Sequence, residues 1–555
     1  MAMSYDSLVK TATMEYVGRI RAGKTVHAEP EEYADELLVE TTAAITAYNA
    51  VHVGPKIKIP ARLENSQVAE LIAALEPIVR IACAGPNADT SYDLIGVFQA
   101  GGPDKGLYSV DEREIRRLVK KYKYAINMRD ISEIMSQLQI MLPRKNRTQE
   151  RDLIAVNNGV FDYANKKLLP FSPDFVFLAK SQVNYIPHAP NPVIYNPDDG
   201  TDWDVESWMS ELSDDPEVVA LLWKLLGAAI RPNVPWNKSA WLYSRTGNNG
   251  KGTLCALMRN LCGPGTAVSI PLKKFCEKFS LEPLLHASAI ITDENDVGTY
   301  IDEAANLKAV VTGDVVPIER KYKTTIAFAF RGFMVQCLNE YPRVKDTSGS
   351  FYRRQLFVPF EKCFTGAERK YIKDDYLQRK EVLEYVLYRV LNTNYYELPE
   401  PDTCKAALNE YKENNSPVRA FFSEFAGRFT WHLLPYGFLY DLFQAWFKRN
   451  QPSGKVLGRN TFTQELRAVI DEGAFPAWTY RVSKRDKHKP ANVDPKGRMN
   501  WPERLILEYQ LVDWQNSLQL DPDRRCTPHL ADKYQGLERV GCTLNVPFVP
   551  ADSDD

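Results

Sequence analysis

The stretch that most constrains this chain is Ser244-Arg245-Thr246-Gly247-Asn248-Asn249-Gly250-Lys251-Gly252-Thr253. It lies between the apolar-rich run Ser239-Ala240-Trp241-Leu242-Tyr243 and the helical pattern Leu254-Cys255-Ala256-Leu257-Met258. A strand, a glycine-punctuated loop and a helix is the order that a phosphate-binding loop needs. Gly247 and Gly250 let backbone N–H groups turn inward around a polyphosphate, and Lys251 brings a point charge to it. The N-terminus of the next helix adds its dipole. Thr246, Gly247, Asn248, Asn249, Gly250, Lys251, Gly252 and Thr253 are thus the candidate nucleotide-binding residues. Two positions depart from G-x-x-x-x-G-K-[ST]: Arg245 stands for the first glycine, and Gly252 stands where a magnesium-binding hydroxyl is expected, with Thr253 one residue later. Taken alone, the loop leaves an ordinary glycine-rich turn open as the alternative.

Polar residues further along the chain shift the balance. The run Ala289-Ile290-Ile291-Thr292 enters Asp293-Glu294, paired acids of the kind that hold Mg²⁺ and orient an attacking water. The run Gly332 to Leu338 ends at Asn339, an amide near where a γ-phosphate would lie, and Arg353-Arg354 precede the run Gln355 to Phe360. Four polar stations, each read at the tip of a strand and in this order, are harder to obtain by chance than any one of them. With these residues the chain resembles the superfamily 3 helicases of phages, plasmids and small DNA viruses, in the phage/plasmid primase-helicase and poxvirus-type branch. The resemblance implies that Lys251 is the Walker A lysine, Asp293 and Glu294 the Walker B pair, Asn339 the sensor and Arg354 an arginine finger supplied to a neighbouring subunit. It implies ATP and Mg²⁺ as cofactors, with Asp293 and Thr253 as metal ligands. The stretch Leu307 to Asp314 and then Glu319-Arg320-Lys321-Tyr322-Lys323-Thr324 would be a hairpin projecting into a ring channel. There Arg320, Lys321, Tyr322 and Lys323 would grip single-stranded DNA by phosphate neutralisation and stacking.

The 555 residues predict several domains, and 44% hydrophobic with 25% charged residues is an ordinary globular composition. A net charge of -2 excludes a surface coated in basic residues, so any nucleic-acid contact must be local. The nine cysteines contain no C-x-x-C pair and read as reduced thiols without a zinc site, in a cytoplasmic compartment, that of a bacterial host by the resemblance. No apolar run reaches the roughly 18 residues of a membrane span; Val218 to Ile230 comes nearest and Lys224 interrupts it. The N-terminus carries no signal-peptide pattern.

Residues 1–150 read as an accessory region, mainly helical and then small mixed α/β, with a basic helix over Asp111 to Tyr122 that suits a solvated face better than DNA. Residues 151–204 resemble the family's lead-in module, in which Asn158-Gly159 is a hairpin signal. The acidic run Asn196 to Asp204 reads as a cap on the next helix, not a calcium loop. Residues 205–400 would be the ATPase, helical from Ala367 to Tyr396. Residues 405–520 would hold three amphipathic helices, the strand Trp478 to Val482 and a basic turn in which Lys484, Arg485 and Lys487 meet DNA phosphates. Residues 521–555 read as a tail. The expected fold is α/β: an AAA+ type P-loop ATPase core, an α+β N-terminal region and a C-terminal winged-helix domain. The expected activity is an ATP-driven replicative DNA helicase of a phage, plasmid or other mobile element, a homo-hexamer moving 3′ to 5′. Its partners would be single-stranded and forked DNA and a primase, polymerase or origin-binding protein. An ATP-regulated origin binder or helicase loader is the alternative. A bifunctional primase-helicase is disfavoured, because the residues ahead of the ATPase are too few for a priming domain.

Overall fold

Five strands, β1 (Ser239–Tyr243), β2 (Ala267–Val268), β3 (Ala289–Thr292), β4 (Phe333–Leu338) and β5 (Gln355–Pro359), form one parallel sheet in the order β2-β3-β4-β1-β5. This is a computed structural model; it describes residues 3–549 except Pro86, Val297, Tyr322, Ala367, Glu368, Ser453, Arg485, Lys487 and His488, with Lys323 and Thr324 by backbone only. Every residue of β1, β3 and β4 is buried, as near-continuous apolar runs covered on both faces require. Parallel neighbours cannot be joined by a tight turn, so each connection crosses a face, and helix α1 (Lys251–Cys262) makes the crossing from β1. The carboxyl ends of β1, β3 and β4 therefore share one edge of the sheet, where crevices form in open α/β sheets. Polar ties pin the register: Asn295 Nδ2 donates to Gln336 Oε1 at 3.0 Å and to Cys337 O at 3.1 Å, while its Oδ1 accepts from Leu272 N at 2.8 Å.

The chain divides into two units, Met1–Asp346 with Arg353–Lys405, and Thr347–Tyr352 with Ala406–Asp555. The first begins with helices Tyr5–Arg21, Pro30–Val51 and Asn65–Leu75. A four-stranded sheet comes next, with Tyr108–Ser109, Leu94–Phe98, Ile78–Ala82 and Arg144–Asn146 in that spatial order. The basic helix, Glu112–Tyr122, buries Ile115, Leu118, Val119 and Tyr122 and leaves Arg113, Arg117, Lys120 and Lys121 exposed, as a solvated face does.

The lead-in segment forms the hairpin Leu153–Val156 with Gly159–Asp162, and Val156 pairs with Gly159. The turn is thus Asn157-Asn158, not Asn158-Gly159. Gly159 is needed on the strand instead, where a Cβ would come within 2.5 Å of Leu169 O on the next strand, Lys167–Leu169. Asp204 caps helix Val205–Glu211 by accepting from the N–H groups of Glu206 and Ser207, which accounts for the acidic run before it. Helix Pro216–Ile230 runs to Arg231, which is fully buried beneath Tyr163 and Tyr395 and donates from Nη1 to Tyr395 O at 2.9 Å. Among the described residues no helix is long and apolar enough to cross a membrane. The helix expected after the core is broken into Lys370–Asp374, a 3₁₀ turn at Tyr376–Gln378 and Lys380–Asn392.

In the second unit the element order is helix Pro417–Phe425, strand Leu433–Pro435, helices Tyr436–Asn450 and Arg459–Asp471, and strand Trp478–Tyr480. A further strand, Gly536–Arg539, lies between the other two in an antiparallel sheet. The stretch read as a tail from residue 521 therefore supplies the central strand of this unit. An aromatic core of Phe421, Phe422, Phe425, Phe429, Trp431 and Phe443 fills the space between sheet and helices.

Candidate functional site

The loop after β1 reaches its helix through Gly250, whose φ of +85° is the left-handed conformation that glycine adopts without a Cβ penalty. Asn248 also has positive φ, at +51°. The loop is tied internally: Thr246 N donates to Ser244 Oγ at 3.3 Å, Asn249 Nδ2 donates to Thr246 O, and Lys251 N donates to Asn249 Oδ1 at 3.3 Å. A last tie comes from outside, where Phe364 N donates to Asn248 O at 2.7 Å.

Lys251 opens α1 and is 5% exposed. Its Nζ donates to Asn339 Oδ1 at 3.2 Å, so the structure brings together the lysine at the end of β1 and the amide just past β4. Burial pulls the Lys251 ammonium below its ordinary pKa. Asp293 and Glu294, just past β3, are exposed at the same edge. The Asp293 carboxylate accepts from Arg259 Nη1 at 2.5 Å, while Arg259 Nη2 holds Ile291 O at 2.8 Å. Burial pulls the Arg259 guanidinium down and the Asp293 carboxylate more than offsets it, leaving its pKa above the usual value.

Helical period explains which α1 residues face the acids. Lys251, Cys255 and Arg259 lie four apart and share one face; Thr253 is roughly 200° round from Lys251. Thr253 instead lines a cavity of about 320 Å³ on the other flank, with Trp208, Leu212, Asn248 and Phe364. Thr253, expected to join Asp293 as a metal ligand, lies two residues beyond Lys251 on α1, and Gly252, directly after Lys251, has no side-chain donor. Arg354 is not brought to the loop. It precedes β5 in a parallel sheet, so it sits at the edge opposite Lys251, where its carbonyl accepts from Ser239 N at 2.8 Å.

One pairing escaped the reading of nine isolated thiols. Cys255 Sγ and Cys337 Sγ lie 3.4 Å apart beneath the site, and both come within 4.8 Å of a carboxylate oxygen of Asp293. The hydrogen bond to Cys337 and burial push the Cys255 thiol well above its ordinary pKa. The carboxylate oxygens of Asp293 and Glu294 are donors that a hard cation such as Mg²⁺ takes.

A hairpin forms from Val315–Arg320 and Lys323–Ala329, with Arg320 paired to Lys323 across the turn, whereas Leu307 to Thr312, read as part of it, belong to the helix Ala305–Thr312 that precedes it. Arg320 is half-buried and Lys321 exposed; Tyr322 and the Lys323 side chain lie outside the described residues. In the second unit Ser483 N donates to Lys489 O at 2.8 Å, closing the basic turn, and Lys484 is exposed. Arg485 and Lys487 lie outside the described residues.

Three family models match separate parts of the chain. Residues 26–213 match a D5 N terminal like model, and residues 413–497 a Poxvirus D5 protein-like model. The two flanks of the chain are thus similar to D5-like proteins. Residues 242–354, from β1 to Arg354, match a family of unknown function, DUF5906. The D5-like N-terminal match runs through both the accessory region and the lead-in segment, which the sequence pattern separates at residue 150. Among solved structures, the chain is similar to an apo structure of the NrS-1 C-terminal region at 14% identity, covering 71% of this chain and 83% of that one with a TM-score of 0.37. A second structure of that region gives 12% identity, 72% and 94% coverage and a TM-score of 0.38.

Proposed function

We propose that this D5-like chain is an ATP-driven DNA helicase that translocates on single-stranded DNA during replication of a phage, plasmid or other mobile element. One observation carries the reading: Lys251, Asn339 and Asp293 come from three strands to one edge of a parallel sheet, beside a loop whose helix begins at a left-handed glycine. In this reading the loop amides and Lys251 hold the β- and γ-phosphates, and Asn339 contacts the γ-phosphate. The nucleoside lies in the cavity of Trp208, Leu212 and Phe364, whose volume of about 320 Å³ is in the range of small-ligand pockets. Bound Mg²⁺ supplies charge neutralisation at the phosphates, and Asp293 with Glu294 would hold it and its waters. Glu294, exposed beside Asp293, takes the proton of the attacking water. Arg354, at the opposite edge, reaches a nucleotide only on a neighbouring copy, which supports a ring and, by the resemblance, a homo-hexamer moving 3′ to 5′. The hairpin carrying Arg320, Lys321 and Lys323 grips the strand, and the basic turn at Lys484 adds a second DNA contact.

The loader reading draws on the pairing of Asp293 with Arg259, which suits nucleotide used as an assembly switch. Strand displacement on forked DNA separates the two. A helicase displaces the strand with ATP and loses this in Lys251→Ala and in Lys323→Ala, while the latter keeps ATP hydrolysis. DNA-dependent assembly without displacement would move the assignment to a loader.

A further inference from the structure

At the root of the hairpin lies a cavity of about 200 Å³, separate from the one beside the nucleotide loop. Three segments wall it. Cys83 and Gly85 come after strand Ile78–Ala82, Arg147 and Gln149 after strand Arg144–Asn146, and Ala329 and Arg331 sit where the hairpin ends. The hairpin is anchored there, because Ala329 N donates to Cys83 O at 3.4 Å and Arg147 Nη1 donates to Ala329 O at 3.1 Å. The Arg147 guanidinium also lies 4.9 Å from the centroid of the Phe328 ring. Arg331 Nη2 donates to Gln149 Oε1 at 3.1 Å.

All of these acceptors are neutral. Among the described residues no carboxylate lines the cavity and neither arginine has an ion-pair partner. Asp93, an acid whose charge is felt at Cys83, is held by Arg144 at 2.8 and 2.9 Å. Two half-buried arginines thus converge on a confined space with no counter-charge among the described residues that line it, where their mutual repulsion is only partly screened. Burial and the like charge of Arg331 both press the Arg147 guanidinium below its ordinary pKa, which an anion between them would relieve.

We propose that Arg147 and Arg331 form an oxyanion site for a phosphate group at the base of the hairpin. The planar, multi-donor guanidinium matches phosphate oxygens, the cavity of about 200 Å³ has room for a phosphate group with some of its waters, and Gln149 adds an uncharged donor. The site stands apart from the nucleotide loop. Its position on the element that carries Arg320 and Lys321 makes a backbone phosphate of single-stranded DNA the favoured source, with free phosphate as the other.

The test uses the full chain. Binding of a fluorescent oligothymidylate is followed by anisotropy over a range of KCl, for the parent, Arg331→Gln and Arg331→Lys. Each phosphate contact on a single strand contributes about 0.7 to the slope of log K against log[salt]. The slope should become shallower by about that amount in Arg331→Gln and return in Arg331→Lys. Arg147→Gln should repeat the loss, and if that variant fails to fold for want of its tie to Ala329, Arg331→Gln still decides. In parallel, inorganic phosphate is titrated in thermal shift on Lys251→Ala, which removes the loop lysine from the response, and on Lys251→Ala with Arg331→Gln. A slope change assigns the site to the DNA backbone. An unchanged slope with a phosphate shift that disappears only with Arg331→Gln assigns it to free phosphate. If neither slope nor shift depends on Arg331, the two arginines hold only protein groups and the proposal is overturned, whatever becomes of the helicase reading.

Discussion

The hydrogen bond from Lys251 Nζ to Asn339 Oδ1 gives the site a prediction with opposite signs for two substitutions at one residue. Asn339 is the one side-chain partner of Lys251 among the described residues, at 3.2 Å, and Lys251 is buried. A nucleotide must draw the ammonium away from that amide. Asn339→Asp replaces a neutral acceptor by a charged one, moving the interaction from about 1 kcal/mol to about 1.5–3 kcal/mol and raising the Lys251 pKa that burial lowers. The resting pair then competes better with the phosphates by roughly 0.5–2 kcal/mol, so nucleotide should bind about 2- to 30-fold more weakly. Asn339→Ala removes the competitor and leaves the ammonium without its partner, so nucleotide should bind as well as in the parent or up to about fivefold more tightly, while hydrolysis falls because the γ-phosphate has lost a contact. Calorimetric titration with a non-hydrolysable ATP analogue and Mg²⁺, beside a phosphate-release assay, reads both. Equal weakening by Asp and Ala, or no change with Asp, would refute the view that Asn339 and the nucleotide share Lys251.

Two further substitutions probe the supports. At Gly250 the +85° φ makes any Cβ cost about 1–2 kcal/mol, and that Cβ would stand 2.6 Å from Leu212 Cδ2, whereas a Cβ at Gly247 meets nothing within 4 Å; Gly250→Ala should therefore lower the melting temperature and weaken nucleotide binding, and Gly247→Ala should leave stability unchanged. In the second unit Glu503 is 1% exposed and accepts from Thr430 N at 2.8 Å and Thr430 Oγ1 at 2.9 Å, yet burial lifts its carboxyl from 4.5 to about 7. A raised folded pKa means that the protonated form favours the fold: the contribution is full below about pH 4.5 and is lost as pH rises through about 7, amounting to about 3 kcal/mol. Glu503→Gln, which stays neutral, should gain on the parent in melting temperature as pH rises from about 4.5 to about 7 and keep that gain above it; a gap that does not change with pH would contradict this.

Much of the core was legible because its strands are apolar runs that stop at polar residues. The run Ser239–Tyr243 is β1 as read, Ala289–Thr292 is β3 and Gln355–Pro359 is β5, each lacking the alternation of a half-exposed strand. Strand direction alone decides the place of Arg354, because a residue that precedes a parallel strand lies at the edge opposite those that come after one. Other features were hidden for a physical reason. Gly536–Arg539 reads as a polar stretch, since Glu538 and Arg539 are charged, and it becomes a central strand only because distant residues satisfy them. Arg481 pairs with Glu538 at 2.6 Å, and the Arg539 guanidinium lies 4.3 Å from the centroid of Trp478. Neither partner is adjacent in sequence, so no local pattern announces the burial. The pairing of Cys255 with Cys337 was hidden in the same way, by a contact between α1 and β4 that spacing does not record.

The resting site also explains why its charges tolerate an edge that is partly closed. Lys251 is held by Asn339 and Asp293 by Arg259, so each charge of opposite sign has a protein partner and neither is buried alone. In the proposed reading, loading ATP would be an exchange of partners: phosphates would replace Asn339 on Lys251, and a cation would replace Arg259 on Asp293. Arg259 continues to hold Ile291 O through its other nitrogen, so it need not leave the site when it releases the carboxylate. The exchange makes nucleotide affinity a difference between two satisfied states, which is why a single added charge at Asn339 is enough to move it.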